Sequence, residues 1–141
     1  MKRRGKRSFR SRRGGDGGAL LFVYGTLRAA SGHPMHRMLR AEAEFVVEGT
    51  FRGALYDLGA FPGAIASHRN CDRVRGEIYR LRAPARMLRV LDAYEDKAFR
   101  RVKVAVRKAD GEASRCWIYL YGRPLNRFPR IASGDFIKRH G

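Results

Sequence analysis

Residues 101–107 alternate between basic and apolar side chains, and this pattern limits the fold more than any other feature of the chain. The basic positions are Arg101, Lys103 and Arg107, and the apolar positions are Val102, Val104 and Val106. A period of two is typical of a strand with one buried face and one exposed face. Asp110-Gly111 separates this segment from a β-rich run at residues 116–121. The sequence therefore predicts a β-hairpin.

The rest of the chain adds further strands and two helices. Apolar or β-branched runs predict strands at the start of segment 20–28 and over residues 45–51, 53–58 and 74–81. Residues 34–40 resemble a short helix, and a longer helix is expected from Pro84, a favoured first-turn residue, towards Glu95. No internal repeat or second domain boundary is visible, so residues 19–141 are interpreted as one domain.

Size and cysteine content favour a single intracellular domain. A chain of 141 residues can bury a core without metal or disulfide support. Cys71 and Cys116 lack CxxC or zinc-like spacing, which favours a reducing compartment, with one disulfide as the alternative. No apolar stretch approaches the roughly 20 residues of a membrane helix, and the start lacks a secretory apolar region. We therefore expect a cytoplasmic protein without a transmembrane segment.

The net charge of +18 is divided between the start of the chain, which carries +7 over residues 1–18, and residues 19–141, which carry the remaining +11. Residues 1–18 contain eight Lys or Arg residues against Asp16 alone, interleaved with Gly and Ser. This composition predicts a disordered basic arm. Such an arm can bind nucleic acid or another anionic surface non-specifically, or it is a solvated extension without a specific partner.

Two segments point to chemistry. The strand that begins at Leu20 breaks at Tyr24-Gly25-Thr26-Leu27-Arg28, where a glycine permits a tight turn and close approach of a ligand to backbone N–H groups. Those backbone N–H groups are candidate hydrogen-bond donors to an anionic group of a ligand.

The second segment is the end of the long helix, where Glu95 is the candidate proton-transfer residue. At 100° per residue, Glu95 lies within the apolar stripe formed by Met87, Leu88 and Leu91. Burial and the negative end of the helix dipole would both raise its pKa, as suits a general acid/base. The alternatives are a frayed helix end or an ion pair with one of the many arginines.

Six motifs occur in the order found in one known family. They are YGTLR at residues 24–28, GALYDLGAFPG at 53–63, VRGEIY at 74–79, LDAYED at 91–96, WIYLY at 117–121 and SGDF at 133–136. Together they resemble the gamma-glutamylcyclotransferase-like family, and in particular its small AIG2-like and gamma-glutamylamine cyclotransferase-like members. The resemblance extends over residues 20–139.

The resemblance implies an α+β fold, a small mixed β-barrel with flanking helices. It also implies a pocket in which Tyr24, Gly25, Thr26, Leu27 and Arg28 bind the glutamyl part of the substrate, with Glu95 as the catalytic acid/base.

The implied reaction is an intramolecular aminolysis of a small gamma-glutamyl amine or peptide that releases 5-oxoproline. It requires no metal or organic cofactor. The turn amides would bind either the substrate carboxylate or the oxyanion. Phe99, Phe136 and Met35 depart from residues that are frequent in the family, and these differences bear on substrate choice.

The remaining candidates have plainer interpretations. His33 and His36 could face one side of a short helix but lack a third metal ligand, so we interpret them as surface or loop histidines. Ser67 and Cys71 lack the context of a nucleophile. Tyr121, near the end of its strand, is a candidate pocket residue. Phe61 is expected in a turn, with a pocket wall as the alternative.

A second class of function stays open on the sequence alone. The same fold could be a non-catalytic basic module that contacts nucleic acid or another polyanion, since a fold does not establish an activity.

Overall fold

The structure is a computed structural model that describes residues 19–28, 34–95 and 97–138. These residues form seven strands and two helices. In chain order the elements are β1 (Leu20–Val23), α1 (Pro34–Glu42), β2 (Ala43–Phe51), β3 (Gly53–Asp57), β4 (Pro62–Ala66), β5 (Val74–Leu81), α2 (Pro84–Tyr94), β6 (Phe99–Lys108) and β7 (Ala113–Tyr121). The expected basic arm, His33 and Asp96 lie outside the described residues.

Five strands close into a barrel in the order β1-β5-β2-β6-β7. Neighbouring strands are antiparallel except β1 and β7, which pair in parallel at Leu21 and Trp117. The predicted hairpin is β6–β7, in register from Phe99 opposite Tyr121 to Arg107 opposite Ala113. The expected small mixed barrel with flanking helices is confirmed.

Strands β3 and β4 form a separate two-stranded sheet beside the barrel. The Asp57 N–H donates to the Pro129 carbonyl oxygen (2.9 Å), and Tyr56 bridges to Arg130. The segment after β7 therefore ties this small sheet to the rest of the molecule.

Two apolar clusters explain the hydrophobic patterns. One fills the barrel and includes Phe22, Ile78 and Val106; the other lies between the barrel wall and the helices and includes Leu21 and Leu91. Strand β1 supplies both clusters, because consecutive side chains point to opposite faces. Its unbroken apolar sequence is therefore typical of a strand buried on both sides.

The end of α2 differs from the prediction. The helix ends at Tyr94, and Glu95 is its C-cap residue in an extended conformation (φ −70°, ψ 143°), with its N–H bonded to the Leu91 carbonyl oxygen. The helical angle assigned to Glu95 from the sequence is therefore wrong. Its side chain is half-buried rather than enclosed in the apolar stripe. Backbone geometry after the last helical turn, and not the helical period, sets its direction.

Both cysteines are free thiols; Cys71 is exposed and Cys116 is buried in the barrel. Neither described helix combines the length and apolar character needed to cross a lipid bilayer.

Candidate active site

The turn after β1 is closed by the Arg28 N–H, which donates to the Gly25 carbonyl oxygen (3.0 Å). Gly25 packs directly on β4, because a Cβ atom at this position would lie 2.8 Å from Cγ and Cδ of Pro62. The sequence requires glycine here for close packing, since the φ angle of Gly25 is not in the left-handed region.

The Tyr24 phenol joins three parts of the molecule. Its hydroxyl donates to the Tyr119 carbonyl oxygen (2.5 Å) on β7 and accepts from the Ala64 N–H (3.2 Å) on β4. Burial raises the pKa of Tyr24 above its usual range, the Ala64 N–H opposes the shift, and the nearby charge of Glu95 adds to it. Tyr24 is therefore a neutral structural group at neutral pH.

Arg28 turns away from the cavity into a buried ion network. Its guanidinium lies 2.7 Å from an Asp135 carboxylate oxygen and 3.9 Å from Glu77, which also accepts a hydrogen bond from the Tyr79 hydroxyl (2.9 Å). Burial raises the pKa of Asp135, but Arg28 and the Ile137 N–H outweigh it, so the pKa is lowered. Arg28 thus anchors the turn to the SGDF motif.

His36 supports the same turn from α1. The residue is buried, and its Nδ1 donates to the Leu27 carbonyl oxygen (2.8 Å). The interpretation of His36 as a surface or loop residue is therefore wrong. The hydrogen bond depends on packing between α1 and the turn, which the spacing of histidines in the sequence does not indicate.

Thr26 connects the turn to the end of α2. Its hydroxyl lies 3.0 Å from the Tyr94 hydroxyl. This contact brings the turn next to the residue that precedes Glu95.

The turn and Glu95 line one cavity of about 440 Å³. The lining residues are Phe22, Val23, Tyr24, Gly25, Thr26, Leu27, Ala60, Phe61, Pro62, Tyr94, Glu95, Phe99 and Tyr119. Glu95 is the one residue with a carboxyl side chain in this described lining. Four of the five turn residues selected from the sequence and the selected acid therefore meet here, whereas Arg28 and Tyr121 are not part of the wall.

Tyr121 packs behind that wall. Its ring contacts Phe99 (5.3 Å between ring centres) and Phe128 (6.4 Å). Phe61, for which a turn and a pocket wall were both considered, lies in the turn before β4 and lines the cavity.

Tyr119 is a cavity residue that the sequence did not single out. Its hydroxyl donates to Asp92 (2.6 Å), and both carboxylate oxygens of Asp92 accept hydrogen bonds from Arg101 (2.8 and 3.1 Å). Arg101 lowers the pKa of Asp92, with a smaller effect of Tyr119 in the same direction and burial opposing both. Alternation along β7 was the available signal, because Tyr119 and Tyr121 share a strand face.

Metal binding has no support in the described part of the chain, where no group of three or more His, Cys, Asp or Glu residues could hold an ion. Within the described lining, Glu95 supplies a carboxyl group and the turn after β1 supplies backbone N–H groups. Carboxyl groups in general can transfer protons, and backbone N–H groups in general can bind anions.

Comparison with known proteins agrees with this architecture. The family described as gamma-glutamyl cyclotransferase, AIG2-like, matches residues 21–138. The gamma-glutamylcyclotransferase family protein YtfP of Escherichia coli K12 is 32% identical over 121 residues, which cover 84% of this chain and 96% of the relative.

Two solved structures have the same fold. The solution structure of YtfP from Escherichia coli matches with a TM-score of 0.60 and 28% identity, over 86% of this chain and 99% of the other. The crystal structure of an AIG2-like protein from Mus musculus matches with a TM-score of 0.62 and 27% identity, over 77% and 80% of the two chains. The chain therefore belongs to the AIG2-like gamma-glutamyl cyclotransferase family.

Proposed function

We propose that this protein is a cofactor-independent gamma-glutamyl cyclotransferase that converts a small gamma-glutamyl amine or peptide into 5-oxoproline and a free amine or amino acid. The observation that carries the proposal is the shared cavity of Glu95 and the turn residues Tyr24 to Leu27. A cavity of about 440 Å³ is within the usual size range of small-molecule sites.

The reaction needs one proton shuttle and no second substrate. The substrate's α-ammonium group loses a proton to Glu95, and the resulting amine attacks the γ-carbonyl carbon. Glu95 returns that proton to the leaving nitrogen, and the bond between the γ-carbon and this nitrogen breaks. The ring nitrogen, which is positively charged after the attack, gives its second proton to the ionised Glu95, which passes it to the released amine; the products are 5-oxoproline and an ammonium. A single carboxylate can serve both steps because the first leaves it protonated for the second.

The turn contributes binding and electrostatic stabilisation. Its backbone N–H groups would hold either the α-carboxylate of the glutamyl moiety or the oxyanion that develops on the γ-carbonyl. Because attacking and attacked atoms belong to one molecule, holding the substrate in a folded conformation provides much of the rate enhancement. Thr26 and the hydrogen-bonded His36 would keep the turn in place for this role.

The test is release of 5-oxoproline from a panel of gamma-glutamyl amides by the wild type and by Glu95→Gln. The substitution keeps the size of the side chain but removes its proton-transfer capacity. We expect a loss of at least about 100-fold in kcat, a typical contribution of general acid–base catalysis.

Glu112→Gln is the matched control, since Glu112 is an exposed residue in the hairpin that pairs with Lys108. It should leave turnover unchanged. Full activity of Glu95→Gln, with a folded protein, would refute the assigned role.

Binding to a polyanion is a second candidate, which one surface favours. Three exposed cations, Lys103, Arg107 and Arg115, lie on the outward face of β6 and β7. With the basic N-terminal segment, they could attract nucleic acid in a salt-dependent manner. Removal of residues 1–18 should weaken binding to a DNA oligonucleotide at low salt and leave turnover intact. Unchanged binding to the oligonucleotide would show that residues 1–18 do not contribute to polyanion binding.

We also propose the cytoplasm as the site of action, because the exposed thiol of Cys71 suits a reducing compartment.

A further inference from the structure

The outer wall of the cavity is aromatic. The rings of Phe61 and Phe99 meet edge to face with their centres 5.9 Å apart, and both residues line the cavity. Phe61 is 37% exposed, so part of its ring is open to solvent at the cavity. Behind them, Tyr121 packs on Phe99 and supports its ring.

The turn that carries Phe61 is held in one conformation. The Leu58 N–H donates to the Phe61 carbonyl oxygen (3.0 Å), and the Gly59 N–H donates to the Asp57 carboxylate (2.9 Å). Gly59 adopts a φ of 108°, which favours glycine. The next residue, Pro62, packs on Gly25. Phe61 is therefore placed beside the glutamyl-binding turn before any ligand arrives.

The described lining of the cavity contains no Lys or Arg that could pair with an acidic leaving group. Lys and Arg make up 31 of the 141 residues, yet none of them is among the described residues that line the cavity. The acidic group among these residues is Glu95, which in its charged form would repel a second carboxylate. Desolvating a carboxylate without a partner is costly.

We propose that Phe61 and Phe99 form a leaving-group subsite that selects gamma-glutamyl derivatives of uncharged apolar or aromatic amines and rejects leaving groups that retain a carboxylate. This inference rests on the proposed function and narrows its substrate class. The glutamyl part occupies the turn and Glu95, and the leaving group lies against the two phenylalanine rings. Apolar contact favours the first class, and the unpaired charge disfavours the second.

Four substrates separate the two effects. The γ-glutamyl derivatives of benzylamine and phenylglycine differ by one carboxylate, as do those of methylamine and glycine. We expect kcat/KM for the benzylamine derivative to exceed those of the phenylglycine and methylamine derivatives by at least about tenfold, as for other hydrophobic specificity pockets. Equal or higher kcat/KM for the carboxylated partners would overturn this inference and leave the proposed cyclotransferase intact. Release of 5-oxoproline from none of the four would overturn both.

Variants at Phe61 assign the preference to this residue. Phe61→Ala should reduce the ratio of kcat/KM between the benzylamine and methylamine derivatives by about tenfold. Phe61→Arg should raise kcat/KM for the glycine and phenylglycine derivatives relative to kcat/KM for the methylamine and benzylamine derivatives. Phe45→Ala is the matched control, because Phe45 is an exposed residue of β2 that packs on Tyr79 outside the cavity. If Phe61→Ala retains the wild-type ratio, the subsite is elsewhere.

Discussion

Replacing Tyr24 by Phe removes one hydroxyl group from the junction between the barrel and the small sheet. The ring can remain in the core, because Tyr24 is almost fully buried and its apolar contacts do not depend on the hydroxyl. What is lost is the partner of two backbone groups, the Tyr119 carbonyl oxygen (2.5 Å) and the Ala64 N–H (3.2 Å). Phe22, by contrast, keeps its contact with the ring at position 24.

The cost follows from those two groups. Ala64 is fully buried and Tyr119 nearly so, so water cannot easily replace the phenol. A buried backbone group that loses its partner costs about 1 to 3 kcal/mol. Loss of both should lower the free energy of unfolding by about 2 to 6 kcal/mol. Because Ala64 belongs to β4, the cavity wall next to Gly25 should loosen first.

Urea denaturation measures this change directly. The midpoint should fall with little change in the slope, since the native state stays compact. Tyr121→Phe is the matched control, because Tyr121 packs through its ring on Phe99 and Phe128, and it should change stability by less than about 0.5 kcal/mol. A Tyr24→Phe protein as stable as the control would refute the conclusion that the Tyr24 hydroxyl links the barrel to the small sheet.

Two further predictions concern the anchors of the turn. The lowered pKa of Asp135, caused by Arg28 and the Ile137 N–H against the effect of burial, stabilises the fold above the unfolded-state pKa of about 4. This stability should be lost as pH falls through the folded-state pKa. In Asp135→Asn, the melting temperature should therefore fall less steeply with decreasing pH than in the wild type. An equally steep fall in the variant would contradict the assigned role of Asp135. Gly25→Ala places a methyl group 2.8 Å from Pro62. This substitution should lower the free energy of unfolding, measured by urea denaturation, by about 1 to 3 kcal/mol, and it should reduce kcat/KM. An unchanged free energy of unfolding would show that β4 can move to make room for the methyl group.

The strands were the most predictable part of the fold, because their signal is local. Strand β5 has the predicted bounds, and the valines of β6 have their alternation because one face of the strand fills the barrel. The closure of the barrel was harder to predict from the sequence. It depends on the parallel pairing of β1 with β7, which joins residues about a hundred positions apart, and it came from the family resemblance instead.

The candidate site was predicted only in part, because local sequence patterns do not show which distant residues meet. Glu95 was selected by a helical position that it does not occupy, since α2 ends one residue earlier. The acid nevertheless lines the cavity with the turn. The contributions of Tyr119 and His36 were missed because each depends on a partner in a different structural element, Asp92 in α2 and Leu27 in the turn after β1. Such pairings follow from packing and not from local pattern.

In the proposed reaction, Glu95 and the turn after β1 hold the two ends of one reacting substrate. A crystal structure of Glu95→Gln with a γ-glutamyl benzylamide tests it most directly. We expect the scissile nitrogen or the α-amine to lie within hydrogen-bonding distance of residue 95. We also expect the α-carboxylate or the γ-carbonyl oxygen to accept hydrogen bonds from the N–H groups of Gly25 to Leu27. A ligand bound in the cavity with neither contact, or bound outside the cavity altogether, would contradict it.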